Sequence, residues 1–223
     1  MKKETILLGI IAVLVVVAAI IVTNAYRSSI QNERLPMTTA NASLIREDSP
    51  TLGAADAKVT IVEFLDPECE TCRVFNPTVK KLLKEYDGQV RLVVRYMPLH
   101  PNSVLAATFT EVAGEQGKYW QAQELLFQKQ SEWGTKHGPP SATPQPDVKV
   151  LFEKYAMELG LDLEKLNSAI KENRFAAKLE RDKKDGQSNG VRQTPTLFVN
   201  GRQLARLGEA DLKALIEEEL KNS

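Results

Sequence analysis

Two cysteines, Cys69 and Cys72, follow a run of apolar and β-branched residues, and they are the only cysteines in the chain. On a helix, residues three apart share one face and lie within disulfide reach. A bridge that closes so short a loop restricts the unfolded chain very little, so it adds little stability. The pair therefore indicates reversible redox chemistry at the start of a helix.

Composition limits the other classes of site. A tetrahedral zinc site built on the two cysteines needs two further sulfur or nitrogen ligands, and the chain offers only two distant histidines, His100 and His137. Lys plus Arg and Asp plus Glu number 29 each, so the formal net charge is zero and no broad basic surface is available for nucleic acid. We expect no metal, no nucleic-acid partner and no cofactor other than the Cys69–Cys72 disulfide itself.

The first 25 residues carry a membrane-targeting pattern. An apolar run over residues 6–22 follows Lys2 and Lys3. The run is short for a bilayer span yet longer than the usual core of a signal peptide, and residues 23–25 fit a cleavage site. An uncleaved anchor over residues 1–25 is the favoured interpretation, a removed signal is second and a buried soluble helix is third. Either of the first two places the remaining chain outside the cytosol.

Beyond that segment the sequence predicts a tether and one domain. Residues 26–50 are mostly polar or small and lack a helical or alternating period, which indicates a flexible tether. About 170 residues remain for one globular domain over residues 51–223. Within it, residues 59–65 and 90–96 predict two buried strands, and the helical pattern over residues 69–86 joins them into a right-handed βαβ unit.

The second half of the domain predicts helices and then more sheet. Residues 102–188 form a helical block interrupted by a proline-rich loop, and the charged run at residues 178–185 is typical of a solvated helix face. Residues 196–199 return to a strand pattern, and the Asn-Gly pair at residues 200–201 is a hairpin signal. An amphipathic helix over residues 211–220 follows and can cover one face of the sheet.

This order of elements resembles the thioredoxin fold, which is an α/β fold. A helical insertion, at about residues 102–188, separates the βαβ unit from a hairpin that in this family begins with a cis-proline. Over residues 52–220 the chain is similar to the DsbA-like thiol-disulfide oxidoreductases of bacterial cell envelopes. The motifs that carry the likeness are residues 59–64, Cys69-Glu70-Thr71-Cys72, residues 97–102, residues 117–120 and residues 193–201.

The resemblance implies roles for particular residues. Cys69 occupies the position of the family's exposed attacking cysteine, and Cys72 that of its buried partner. Glu63 matches the buried acid that handles the proton of the inner cysteine, and Thr194-Pro195 matches the cis-proline segment that helps to hold a substrate strand. From the residues alone, Glu63 could instead face water from an edge strand, and Pro195 could simply begin a strand.

Glu70 and Thr71, between the cysteines, are where the sequence departs from the family pattern. Strong oxidants of this family usually carry Pro-His there, whereas Glu70-Thr71 replaces a potential cation with an anion. A helix N-terminus lowers the pKa of a thiol, and the nearby carboxylates of Glu68 and Glu70 oppose that effect. We therefore expect Glu70 and Thr71 to tune the pair toward a less acidic Cys69 and a less oxidising disulfide than in a Pro-His relative.

The activity implied by the resemblance is disulfide exchange with exported, cysteine-containing proteins. It takes place in the bacterial cell envelope, on the extracytoplasmic side of the inner or plasma membrane, with a membrane redox partner. Oxidation of substrates is favoured over reduction, and isomerisation comes last because only a tether precedes the fold. The alternative from another class is a thioredoxin-like binding or chaperone module in which the cysteines are incidental.

Overall fold

The computed structural model describes residues 44–135 and 147–223. The predicted anchor, most of the predicted tether and His137 lie outside these residues. In the part of the chain that is described, no helix combines the length and the apolar character needed to cross a membrane.

A five-stranded sheet lies at the centre of the domain. In chain order, the strands are β1 (Thr51–Leu52), β2 (Val59–Leu65), β3 (Val90–Tyr96), β4 (Thr196–Val199) and β5 (Arg202–Gln203). Their spatial order is β1-β3-β2-β4-β5, with β2 and β3 parallel and the other neighbours antiparallel. Every residue of β2 is buried, because alternate residues of this central strand enter two different apolar clusters. The predicted α/β thioredoxin-like fold is confirmed.

Helices pack around this sheet and form the predicted insertion. Within the described ranges they are α1 (Glu70–Glu85), α2 (Ser103–Glu115), α3 (Tyr119–Gln128), α4 (Gln130–Trp133), α5 (Val148–Glu158), α6 (Leu163–Lys171), α7 (Ala176–Ser188) and α8 (Glu209–Lys221). Helix α1 is the crossover between the parallel strands β2 and β3. Helices α2 to α6 share an apolar cluster of their own, which includes the fully buried Trp133 and Phe152.

The charged run at residues 178–185 is only in part the solvated face that its pattern predicted, with Glu180 and Lys184 exposed. Asp182 and Asp185 of α7 are buried, and they form ion pairs of 2.8 and 2.5 Å with Arg95 of β3, whose side chain is fully buried. A guanidinium without a carboxylate partner in the interior would be very unfavourable, so α7 turns its acids inward. The sequence signal was Arg95, a cation within a run that predicts a buried strand.

Residues 44–50, the end of the predicted tether, are bonded to the domain. The Arg46 guanidinium donates to both carboxylate oxygens of Asp185, at 2.9 and 3.0 Å. The carbonyl of Leu44 accepts a hydrogen bond of 2.7 Å from Arg95. This part of the segment is therefore attached to α7 and β3.

Removing the Arg95 guanidinium is expected to destabilise the domain strongly. The variant Arg95→Met leaves two carboxylates without their buried cation, and such a change costs about 3–5 kcal/mol. Urea unfolding of the reduced protein measures the loss. Lys184→Met is the matched control, because the Lys184 side chain on the same helix is 70% exposed. A loss in Arg95→Met no larger than in the control would contradict this account.

Candidate active site

Cys69 and Cys72 lie where β2 ends and α1 begins. Cys69 is the N-cap residue of α1, with extended backbone angles (φ −70°, ψ 122°), and its side chain makes no capping hydrogen bond. Its N–H donates to the Asp66 carbonyl at 3.0 Å, which closes the turn into the helix. The first N–H groups of a helix have no intrahelical acceptor, and here those of Thr71 and Cys72 act to lower the pKa of the Cys69 thiol.

The two thiols differ strongly in acidity. Donation from the Cys72 thiol lowers the pKa of Cys69 to about 5, with the Thr194 side chain and the helix N–H groups adding to this effect and burial opposing it. Burial raises the pKa of Cys72 well above its ordinary value, and its hydrogen bond to Cys69 adds to the shift. At neutral pH the pair therefore consists of a thiolate on Cys69 and a thiol on Cys72.

Cys69 is covered, whereas the resemblance implied an exposed cysteine. Only 7% of Cys69 is exposed, against 0% of Cys72. The cover is the segment around Thr194-Pro195, whose peptide bond is cis, as the resemblance implied. The Thr194 carbonyl lies 3.3 Å from the Cys69 sulfur. Of the two cysteines, only Cys69 keeps some solvent-exposed surface.

Glu63 lies behind the cysteines in the middle of β2. It is 2% exposed and pairs in register with Val94 on one side and Leu197 on the other, so the alternative of a water-facing edge position is wrong. Burial raises the pKa of Glu63 to about 7, and the Cys69 thiolate adds to the shift. A charge on Glu63 in turn contributes to the raised pKa of Cys72, which couples the two groups electrostatically.

Sequence reasoning missed Asp66, a buried carboxylate that organises the loop between β2 and α1. It accepts hydrogen bonds from the N–H groups of Glu68 at 2.9 Å and Leu99 at 2.7 Å, and its Oδ2 lies 2.7 Å from His100 Nδ1. Burial acts to lower the pKa of His100, but Asp66 outweighs it and the pKa is raised. The sequence feature that could have indicated Asp66 is its position, directly after the predicted buried strand and before Pro67.

Glu68 and Glu70, expected to oppose the lowering of the Cys69 pKa, do not outweigh the groups that lower it. The Glu68 carboxylate accepts hydrogen bonds from the backbone and side chain of both Asn102 and Thr135. Glu70 and Thr71 are exposed, and water screens a charge at such a position. These carboxylates do not keep the Cys69 thiol near its ordinary pKa, and the comparison with a Pro-His relative remains a prediction.

The reduction potential of the pair should depend on pH in a diagnostic way. Above pH 7.5, reduction takes up two electrons and one proton, because Cys69 stays a thiolate and Cys72 a thiol, so the potential should fall by about 30 mV per pH unit. Near pH 7 the slope should be steeper. Reduction creates the Cys69 thiolate, which raises the pKa of Glu63, so Glu63 takes up a further fraction of a proton when the pair is reduced. Glu63→Gln should remove the steeper part. Equilibration with glutathione measures the slope, and about 59 mV per unit at pH 8 would contradict the assignment.

Comparison with known sequences agrees with this arrangement. Residues 46–218 match the family profile described as Thioredoxin. Disulfide bond formation protein D of Bacillus subtilis is 30% identical over 179 residues, which cover 77% of each chain. The Na(+)/H(+) antiporter NhaA 3 of Salinispora tropica is 34% identical over 154 residues, which are 68% of this chain. The chain spans about a fifth, 21%, of that antiporter's length.

Solved structures show the same likeness. Oxidised BdbD from Bacillus subtilis has a TM-score of 0.66 at 29% identity, covering 78% of this chain and 93% of that one. A thioredoxin-like oxidoreductase from Silicibacter pomeroyi has a TM-score of 0.65 at 25% identity, covering 81% and 96%. Wolbachia pipientis α-DsbA1, with a TM-score of 0.70 at 18% identity and coverage of 83% and 97%, shares the fold. The chain therefore belongs to the thioredoxin family, and its fold is the one seen in the DsbA-like proteins.

Proposed function

We propose that this protein is a thiol-disulfide oxidoreductase that works as an oxidase, donating the Cys69–Cys72 disulfide to exported proteins that contain cysteines. The observation that carries the proposal is the pKa of Cys69, which is lowered to about 5 chiefly by the Cys72 thiol. Stabilising the thiolate stabilises the reduced form of the pair, and a pair with a stabilised reduced form is oxidising. The name of the Bacillus subtilis relative, a disulfide bond formation protein, supports the same direction.

In the proposed reaction, a substrate thiolate attacks the Cys69 sulfur of the oxidised protein. A bond forms between the substrate and Cys69, the Cys69–Cys72 bond breaks, and the Cys72 sulfur takes a proton from Glu63. A second substrate thiolate then attacks the substrate sulfur of the mixed disulfide, and Cys69 leaves as a thiolate. The substrate loses two electrons. The reduced protein passes them to a disulfide of a membrane redox partner, and Glu63 accepts the Cys72 proton in that half of the cycle.

The surroundings of the pair have proposed roles as well. The Thr194 carbonyl lies beside the Cys69 sulfur, where it can accept a hydrogen bond from the backbone of a bound substrate strand, with Pro195 shaping the same surface. We place the reaction in the bacterial cell envelope, on the extracytoplasmic side of the membrane, with residues 1–25 as the anchor. Support for this location is the apolar run at residues 6–22, and disulfides persist in such oxidising compartments.

Oxidation of a reduced peptide with two cysteines tests the proposed direction. The oxidised protein should consume the peptide thiols at a rate that Cys69→Ser abolishes, because this variant lacks the attacked sulfur. Cys72→Ser is the matched control. When it is mixed with the oxidised peptide, its Cys69 should attack the peptide disulfide and stay linked to the peptide as a mixed disulfide. Free-thiol assay and mass spectrometry measure the two results. Efficient reduction of insulin without peptide oxidation would favour a reductase, and client binding independent of Cys69 would favour a binding module.

Replacing Glu63 should affect the step that moves the Cys72 proton. With glutathione preloaded on Cys69, the attack of Cys72 on the mixed disulfide should be about 100-fold slower in Glu63→Gln, because the general base is lost. Stopped-flow release of glutathione measures this step. Glu158→Gln removes an exposed carboxylate on α5 and should leave the rate unchanged. Equal rates in Glu63→Gln and the wild type would refute the proposed role of Glu63.

A further inference from the structure

Gln130, the first residue of α4, reaches from the helical insertion to the loop that carries Cys69. Its side chain is buried, since the residue is 4% exposed. The Nε2 atom donates to the carbonyl of Pro67 at 3.0 Å and to the carbonyl of Cys69 at 3.1 Å. One buried amide therefore holds two main-chain carbonyls of the active-site loop, on either side of Glu68.

Arg73 determines which way that amide faces. Its Nε–H donates to Gln130 Oε1 at 2.9 Å. A guanidinium has donors only, so it must meet the amide oxygen, and the amide nitrogen is left for the two carbonyls. The opposite orientation would place oxygen against two carbonyl oxygens and nitrogen against a cation. The three contacts are thus consistent with a single orientation of the Gln130 amide.

The held carbonyl belongs to the peptide unit that starts α1. The Cys69 carbonyl also accepts the first helical hydrogen bond, from the N–H of Arg73 at 3.1 Å. Because a peptide unit is planar, fixing this oxygen fixes the plane that follows Cys69 and hence the backbone angle ψ of the N-cap. The N–H groups of Thr71 and Cys72, in the first turn of α1, are the ones that act to lower the pKa of Cys69. A rotation at the N-cap would move these donors relative to the sulfur.

We propose that Gln130 is a positioning residue for disulfide exchange: it anchors the Cys69 carbonyl and so holds the N–H groups of α1 in line with the Cys69 sulfur. Gln130 itself touches neither sulfur nor substrate. Through this contact the helical insertion takes part in the chemistry of the thioredoxin-fold pair. The inference rests on the proposed role of Cys69 as the reacting sulfur.

Thiolate titration of reduced Gln130→Met tests the inference. Methionine keeps a similar volume but has no donor, so the N-cap carbonyl loses its anchor. Cys72 is the only other cysteine and its pKa is raised, so ultraviolet thiolate absorbance across the acid and neutral range reports Cys69. We expect the Cys69 pKa to rise by about one unit, the size of one weakened hydrogen bond to a charged group.

Gln123→Met is the matched control for the loss of a buried glutamine. Gln123, on α3, is also 4% exposed, and within residues 44–135 and 147–223 no hydrogen bond joins it to the active-site loop. Only Gln130→Met should shift the titration, because, among the described residues, Gln123 makes no hydrogen bond to the active-site loop. A merely structural role of Gln130 would move stability alone.

The outcomes separate clearly. An unchanged Cys69 pKa in folded Gln130→Met, or an equal shift in Gln123→Met, would overturn the inference. If Gln130→Met does not fold, Gln130→Asn takes its place with the same criteria, because asparagine keeps an amide that is too short to reach both carbonyls. The readout is the thiolate and not turnover. A shift without Cys69-dependent peptide oxidation would therefore support the inference and refute the oxidase function.

Discussion

A negative charge on Cys69, held where little water reaches it, is the constraint on which the rest of the site depends. Burial alone would raise the pKa of both cysteines, and for Cys72 it does. Cys69 differs because a thiol and helix N–H groups converge on its sulfur. Burial also raises the pKa of Glu63 to about 7, so this carboxyl is partly ionised and partly protonated at neutral pH. The environment therefore separates the acidities of neighbouring groups, which is how acid and base roles become distinct.

The loop around this charge is built from polar groups that satisfy one another. Asp66 holds the turn that leads into α1 and binds the segment of His100, while Glu68 binds Asn102, the N-cap residue of α2, and Thr135, two residues beyond α4. Gln130 supplies donors to the loop carbonyls in return. These contacts join the sheet to the helical insertion at the active site. A buried polar network of this kind rigidifies its surroundings when every member has a partner.

Sequence patterns predicted the elements well because periodicity is a local property. The bounds expected for β2 and β3 agree with the structure, and the helix after the cysteines begins and ends within one residue of its predicted limits. Glu63 and the cis-proline could be assigned because the family resemblance supplied positions that periodicity could not.

The main errors concern contacts between residues far apart in the chain. Arg95 and Asp182 are separated by 87 positions, and their ion pair turned a predicted solvated face inward. The Thr194 carbonyl covers Cys69 across 125 positions, and Gln130 reaches its carbonyl across 61. Composition and spacing contain no information about such pairings. They follow from the fold, which places α7, α4 and the proline segment against the strands and the helix that carry the chemistry.

The central claim is that Cys69 is a stabilised thiolate beside a neutral Cys72, and the pH dependence of alkylation of the reduced protein tests it most directly. Iodoacetamide reacts with thiolates, so the rate should rise through an inflection near pH 5, the pKa of Cys69, and peptide mapping should find the label on Cys69 alone at neutral pH. An inflection near the free thiol value of about 8.5, or equal labelling of both cysteines at neutral pH, would contradict the account.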